Sequence, residues 1–210
     1  VKSVLVIGAS RGVGFETVKQ ALEAGHSVRA LARTAGSIPL DHPGLTKLEG
    51  SALDQTLMEN AILGVDVVIT TLGISPTLQP VHIFSETAKC VIGMMEKHGV
   101  ERLIAVTGIG AGDSRNKEGP FFSRLLKPVF LGQVYADKDR EEDLIRRSNL
   151  DWVIVRPGFL TRFAPTGNYK VITDPEEVED GFIPRGDVAH FLVQLIEDRS
   201  FSGLTPALIS

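Results

Sequence analysis

The chain has 210 residues, 43% hydrophobic and 23% charged, a composition that fits an ordinary soluble domain able to bury a proper core. Its 22 Lys and Arg against 26 Asp and Glu leave a formal net charge of −4, which argues against a general binder of nucleic-acid backbones. A single cysteine, Cys90, excludes an internal disulfide or a cysteine-built zinc cluster and agrees with a cytoplasmic location, and the five histidines show no metal-ligand spacing.

In chain order, Ser3 to Gly8 is a β-branched run bounded by glycine, the pattern of a strand covered on both faces. Its apolar part, Val4 to Ile7, is too short for a signal peptide or a membrane span. Because this pattern begins by Ser3, no piece of the fold is expected to precede it. Val13, Val18, Ala21 and Leu22 then form a helical stripe ending at Gly25. Strands are predicted at Ser27 to Ala32 and Leu45 to Glu49, and Asp54 is an N-cap for a helix to about Leu63. Asp66 to Leu72 reads as the fourth strand, Val81 to His98 as a long helix closed by Gly99, and Arg102 to Thr107 as the fifth strand. A polar loop from Gly108 to Gly119 leads into helical pattern up to about Ser148, and Asp151 to Val155 is the sixth strand. This alternation predicts a doubly wound α/β fold, a mostly parallel sheet with helices on both faces. Beyond Gly158 the spacing predicts an acidic loop (Asp174 to Asp180), a short helix from about Asp187 to Glu197 and a last strand near Pro206 to Ile209. That leaves only a short substrate-side segment, so residues 1–210 read as one domain.

The loop Gly8-Ala-Ser10-Arg11-Gly12-Val13-Gly14 joins the first strand to the first helix. Glycines there permit a sharp turn and a close approach to a pyrophosphate held by the amides of a helix start. The same residues match the serine-hydrolase elbow around Ser10. That elbow lies deeper in the sheet order and needs an acid and then a histidine downstream, so Ser10 is assigned to a phosphate or to the helix cap. An NAD site would place Asp or Glu at the end of the second strand to hold the ribose 2′-hydroxyl. No acid occurs between Glu23 and Asp41, and Arg33 stands there instead, with Arg11 approaching from the glycine loop. Two guanidinium groups flanking that position would clamp a 2′-phosphate, so the expected cofactor is NADP(H).

With GASRGVG, VITTLG (Val68 to Gly73), RLIAVTGIG, LDWVIVRPGFL and IPRGDVAHFLVQLIED in this order, the chain resembles the atypical short-chain dehydrogenases/reductases of the NAD(P)-binding Rossmann superfamily. Within them it is most similar to the small group of biliverdin reductase B (flavin reductase)-like and NmrA-like proteins. The resemblance implies that Gly8, Ser10, Arg11, Gly12, Val13 and Gly14 surround the phosphates, and that Arg33 meets the 2′-phosphate. It further implies that Ser51, Ala52 and Leu53 lie near adenine, Thr71, Leu72 and Gly73 line the cofactor, and Pro157, Gly158, Phe159 and Leu160 face the nicotinamide. Ser51 stands where Asp is common.

The superfamily's main branch uses a Ser after the fifth strand and a Tyr-x-x-x-Lys pair on the next helix. Here Gly108 occupies the Ser position with Thr107 the nearest hydroxyl, and Tyr135 and Lys138 are three apart instead of four. Counting back from Arg156-Pro157-Gly158 puts Lys138 in the lysine position and Val134 in the tyrosine position; if Tyr135 is in register, its partner is Asp139. The candidate catalytic residues are therefore Lys138, Tyr135 and Thr107, with Thr107 and Lys138 also reaching the cofactor. Tyr169 is a further candidate for the substrate side. Two functions follow: an NADPH-dependent reductase of a flat conjugated acceptor such as a flavin, quinone or bilin, or a non-catalytic NADP(H)-binding sensor of the NmrA type. The expected partner is a small, planar substrate, with neither nucleic acid nor membrane, on a monomer or weak homodimer.

Overall fold

The computed structural model describes residues 1–75, 77–112 and 132–210. The loop expected from Gly108 to Gly119 and the start of the helical pattern after it lie partly outside the described residues. Strands β1 (Ser3–Ile7), β2 (Ser27–Ala32), β3 (Leu45–Glu49), β4 (Val67–Thr70), β5 (Arg102–Val106) and β6 (Asp151–Pro157) alternate with helices α1 (Gly12–Glu23), α2 (Gln55–Ile62), α3 (Ile83–His98) and α4 (Gly132–Arg147). Three-residue strands β7 (Phe159–Thr161), β8 (Lys170–Ile172) and β9 (Phe182–Pro184) precede α5 (Arg185–Gln194) and β10 (Ala207–Ile209).

The main sheet has the order β3-β2-β1-β4-β5-β6-β10-β8 and is parallel except for the β10–β8 pair; β7 and β9 form a separate parallel ribbon. Chain order reverses between β1 and β4, so a crevice opens at their carboxyl ends, where ligands sit in open α/β sheets. Strand alternation divides the core. Val4 and Val6 belong to a cluster with residues of α1 and α5, whereas Leu5 and Ile7 belong to one with residues of α2 and α3 and with Ile145 of α4.

Local signals account for the helix ends. Asp54 caps α2 by accepting from the Leu57 amide at 3.0 Å, and Gly99 closes α3 in the left-handed region at φ +70°. Arg29, pointing out of β2, donates to the carbonyls of Asn60, Ala61 and Leu63 and so satisfies the end of α2. Helix α5 begins two residues earlier than the sequence pattern indicates, because Pro184 supplies an extended entry and Arg185 already takes helical conformation. Strands β7, β8 and β9 escape sequence reading because three residues carry too little alternation to register.

A glycine crevice and a ribbon-lined cleft

At the crevice, the three loop glycines have separable roles. Gly8 turns the chain at φ +90°, and a Cβ there would press on the Thr71 carbonyl oxygen at 2.9 Å. Gly14 packs α1 onto β1, since a Cβ there would overlap the Gly8 carbonyl oxygen. Gly12, at φ +62°, faces open space, its nearest neighbour to a Cβ being Arg185 Nε at 3.8 Å. Arg11 is the N-cap of α1 with no side-chain capping bond, and the first turn carries no acid. A 12-residue helix thus presents its first amides beside a glycine that leaves room for a ligand, a cradle that fits a dinucleotide's diphosphate. Val13 is buried in the core, so only its amide can serve a ligand, while Ser10 is half-buried on the loop.

Arg11 and Arg33 follow the carboxyl ends of neighbouring strands, both exposed and neither with a partner among the described residues. The nearest carboxylate in sequence register is Glu49, at the end of β3 opposite Ala32, and it accepts from the Gly36 amide at 2.9 Å. Sequence reading searched β2 for an acid and overlooked this one, which the β2–β3 register could have indicated. Ser51 Oγ accepts from the Leu53 amide at 3.2 Å; Ala52 is buried and Leu53 exposed. Thr71 donates its hydroxyl to the Ile7 carbonyl at 2.9 Å, Leu72 packs between two apolar clusters, and Gly73 has open space around it.

Helix α4 decides the tyrosine register. Tyr135, Lys138, Asp139 and Glu142 share one face; Lys138 binds the last residue of β5 and the other three bind the segment that follows it. The Tyr135 hydroxyl donates to the Ile109 carbonyl at 3.0 Å, Asp139 accepts from the Gly112 amide at 2.7 Å, and Glu142 accepts from the Thr107 hydroxyl at 2.7 Å. Lys138 is buried, donates to the Val106 carbonyl at 3.3 Å, and lies 4.2 Å from the centre of the Phe84 ring. Burial lowers its pKa. Val134 is buried against Val81 and Phe84. A Cβ at Gly108 would stand 3.7 Å from the Tyr135 hydroxyl, so the structure brings Tyr135, and not Val134, beside Gly108, with Asp139 four residues later. Tyr135, Ile109, Pro157, Gly158, Phe159, Asp180 and Gly181 line one small cleft, to which Lys138 and Thr107 do not contribute. Leu160 is exposed on the ribbon.

Beneath that cleft lies a buried charge network. Arg156 grips Glu142 through two bonds of 3.1 and 2.5 Å, and Glu142 also receives Thr107. Asp137 reaches across from α4 to cap α3, accepting from the Phe84 amide at 2.9 Å and the Ser85 hydroxyl at 2.5 Å. Burial raises the pKa of Glu141 to about 7. Tyr169 packs on α5 with its hydroxyl 2.8 Å from His190 Nδ1, and burial, helped by the Asp187 charge, pushes its pKa up to about 12. Among the described residues, no three His, Cys, Asp or Glu side chains converge as metal ligands would, and no helix is long and apolar enough to cross a membrane.

A family model described as NAD(P)H-binding matches residues 8–199. Among solved structures, the Escherichia coli O157:H7 anaerobilin reductase ChuY is similar at 30% identity and TM-score 0.84, over 99% of this chain and 96% of that one. The uncharacterized sugar epimerase YhfK of Bacillus subtilis is 27% identical over 94% of this chain and 89% of its own length. The NAD(P)H azoreductase of Xenophilus azovorans is 25% identical over 74% of this chain and 48% of its own length.

Proposed function

From the premise that the chain belongs to the NAD(P)H-binding family, we propose that it is an NADPH-dependent reductase of a flat conjugated acceptor. The observation that carries this reading is the crevice between β1 and β4, where an uncapped α1 and an open Gly12 meet two arginines, Arg11 and Arg33, that are unpaired among the described residues. The amides of the loop from Gly8 to Gly14 hold the diphosphate, and Arg33 with Arg11 takes the 2′-phosphate in place of the acid an NAD site would have. Ser51 to Leu53 border the adenine; Thr71 to Gly73 and Pro157 to Leu160 border the nicotinamide half. Reductase activity is supported by the similarity to an anaerobilin reductase and an NAD(P)H azoreductase.

When bound, NADPH supplies a hydride, two electrons and one proton, and the acceptor's second proton is drawn from water. Tyr135 and Phe159 form the wall against which the acceptor lies, and the ammonium of Lys138 has no place in the transfer because it is spent on Val106 and Phe84. In the sequence Tyr135 is followed four residues later by Asp139 and not by the lysine of a Tyr-x-x-x-Lys pair, which favours acceptors needing no side-chain acid. An epimerase or dehydratase, the class named for one relative, would draw on that tyrosine as an acid or base.

The incomplete Tyr-x-x-x-Lys pattern also favours a second reading, a cofactor-binding sensor without turnover. NADPH oxidation measured with FMN and with menadione separates the two. Turnover well above the protein-free rate is expected; tight NADPH binding with no turnover would make the protein a sensor.

A further inference from the structure

Lys138 stands between two acceptors. Its ammonium donates to the Val106 carbonyl across a long 3.3 Å, and Glu141 Oε2, three residues further along α4, lies 3.9 Å away. The Val106 carbonyl depends on a donor from outside the sheet. The Thr107 amide of the same peptide unit donates to Val155 on the β6 side, so this carbonyl faces the β4 side, where the ladder has already ended at the Thr70–Ala105 pair. Glu141 Oε2 is buried and has no hydrogen-bond partner among the described residues. The ammonium is thus loosely held by one oxygen and stands about 1 Å beyond a charge-assisted bond to another. Both residues ride on one helix face, so exchanging the two partners takes only a side-chain rotation.

The proton on Glu141 decides between the partners. While neutral, the carboxyl offers the ammonium no charge to approach; once ionised, it attracts the ammonium and favours its charged form. Burial, which raises Glu141 to about 7, puts this change in the neutral range. The charges acting on Glu141 are those of its own helix, Lys138, Glu142 and Asp137. From the elements packed on α4, β6 brings Arg156, engaged with Glu142, and α3 brings the Ser85 hydroxyl, engaged with Asp137, while Glu86, Lys89 and Glu96 of α3 are exposed. We infer that Lys138 and Glu141 form a proton-operated switch at the carboxyl end of β5: in acid the ammonium holds the Val106 carbonyl, and in alkali it turns to Glu141 and lets that carbonyl go. Thr107, Gly108 and Ile109 come next in the chain, and Ile109 lines the Tyr135 cleft and accepts from the Tyr135 hydroxyl, so the switch reaches the cleft through the backbone. It stands on the contacts of α4 and holds for a reductase and a sensor alike.

Heteronuclear NMR of the isotopically labelled protein reads the switch without cofactor or turnover. Because the Thr107 amide shares its peptide unit with the Val106 carbonyl, departure of the ammonium shifts that amide directly. Between about pH 5 and about pH 9 the Thr107 amide is expected to move with a midpoint near 7, coinciding with that of the Glu141 side-chain carboxyl carbon followed in the same samples. Glu141→Gln should abolish the movement. Lys138→Met should abolish it too and carry the Glu141 midpoint upward, since the ammonium is what lowers it. The switch is overturned if the Thr107 amide of the wild-type protein stays still across this range, or if its midpoint departs from that of Glu141 by more than about one pH unit. Movement that persists in Glu141→Gln would also overturn it, by assigning the change to Glu142, which accepts from the Thr107 hydroxyl. Both midpoints are read on the wild-type protein, so their comparison decides even where a variant does not fold.

Discussion

Arg33 is exposed, unpaired among the described residues and placed at the carboxyl end of β2, so its removal should cost little stability and much affinity. Charge-assisted bonds to a phosphate contribute about 1.5–3 kcal/mol each, so Arg33→Ala is expected to weaken NADPH by roughly tenfold or more and NADH hardly at all. Fluorescence titration of both nucleotides checks this, and equal losses would refute the 2′-phosphate assignment. Lys138 presents the opposite case. Lys138→Met should leave NADPH affinity within about twofold, because the ammonium lies under Phe84 and points to Val106 instead of the cleft. A drop of about tenfold would show that Lys138 reaches the ribose after all. Much of the candidate site was legible as residue types: the glycine loop, the missing acid on β2 and the tyrosine all stand at the crevice or its neighbouring cleft. What sequence could not decide was the register of α4, since a three-residue spacing fits either neighbour, and only the position of Gly108 beside the Tyr135 hydroxyl separates them.

Among the elements, α1 makes the sharpest test because two of its glycines can be told apart. Gly14→Val would drive a side chain into the Gly8 carbonyl and split α1 from β1, an overpacking expected to cost about 1–3 kcal/mol or more. Gly12→Val meets nothing closer than Arg185 and carries only the strain of a left-handed residue, about 1–2 kcal/mol, while its branches fill the approach to the helix amides. Thermal melts and NADPH titration together should show Gly12→Val folded but unable to bind, and Gly14→Val markedly less stable; the reverse order would undo the division of roles. The six long strands and the caps Asp54 and Gly99 were readable because runs of four to seven residues and a helix boundary leave strong local marks. By contrast, Asp137 caps α3 from another helix, and Arg29 caps α2 from a strand. Such bonds join residues distant in sequence and leave no trace in any local window.

At the scale of the whole molecule, burial of Glu141 links stability to pH. Its folded pKa of about 7 lies above the ordinary carboxyl value of 4.5, so the folded state holds the proton more tightly than the unfolded state. The contribution is complete below the unfolded value and is lost as the pH rises through about 7. The melting temperature of the native protein should therefore fall between about pH 5 and about pH 8 by more than that of Glu141→Gln, which has no proton to lose. Parallel profiles would mean that Glu141 is held as a carboxylate by Lys138, 3.9 Å away. The sheet order has a consequence of another kind. Strand β10 is threaded between β6 and β8, so the segment spanning residues 207–209 is an interior slat of the sheet. In synthesis that slat is made after every other strand, so its place beside β6 can be filled only once α5 and the residues behind it have followed. The Gly158 and Arg156 amides, which bond to the Leu208 and Pro206 carbonyls, must wait for it, and so must the orientation of the ribbon. A nascent chain would thus close this edge of its sheet, and fix the ribbon beside it, among its last events.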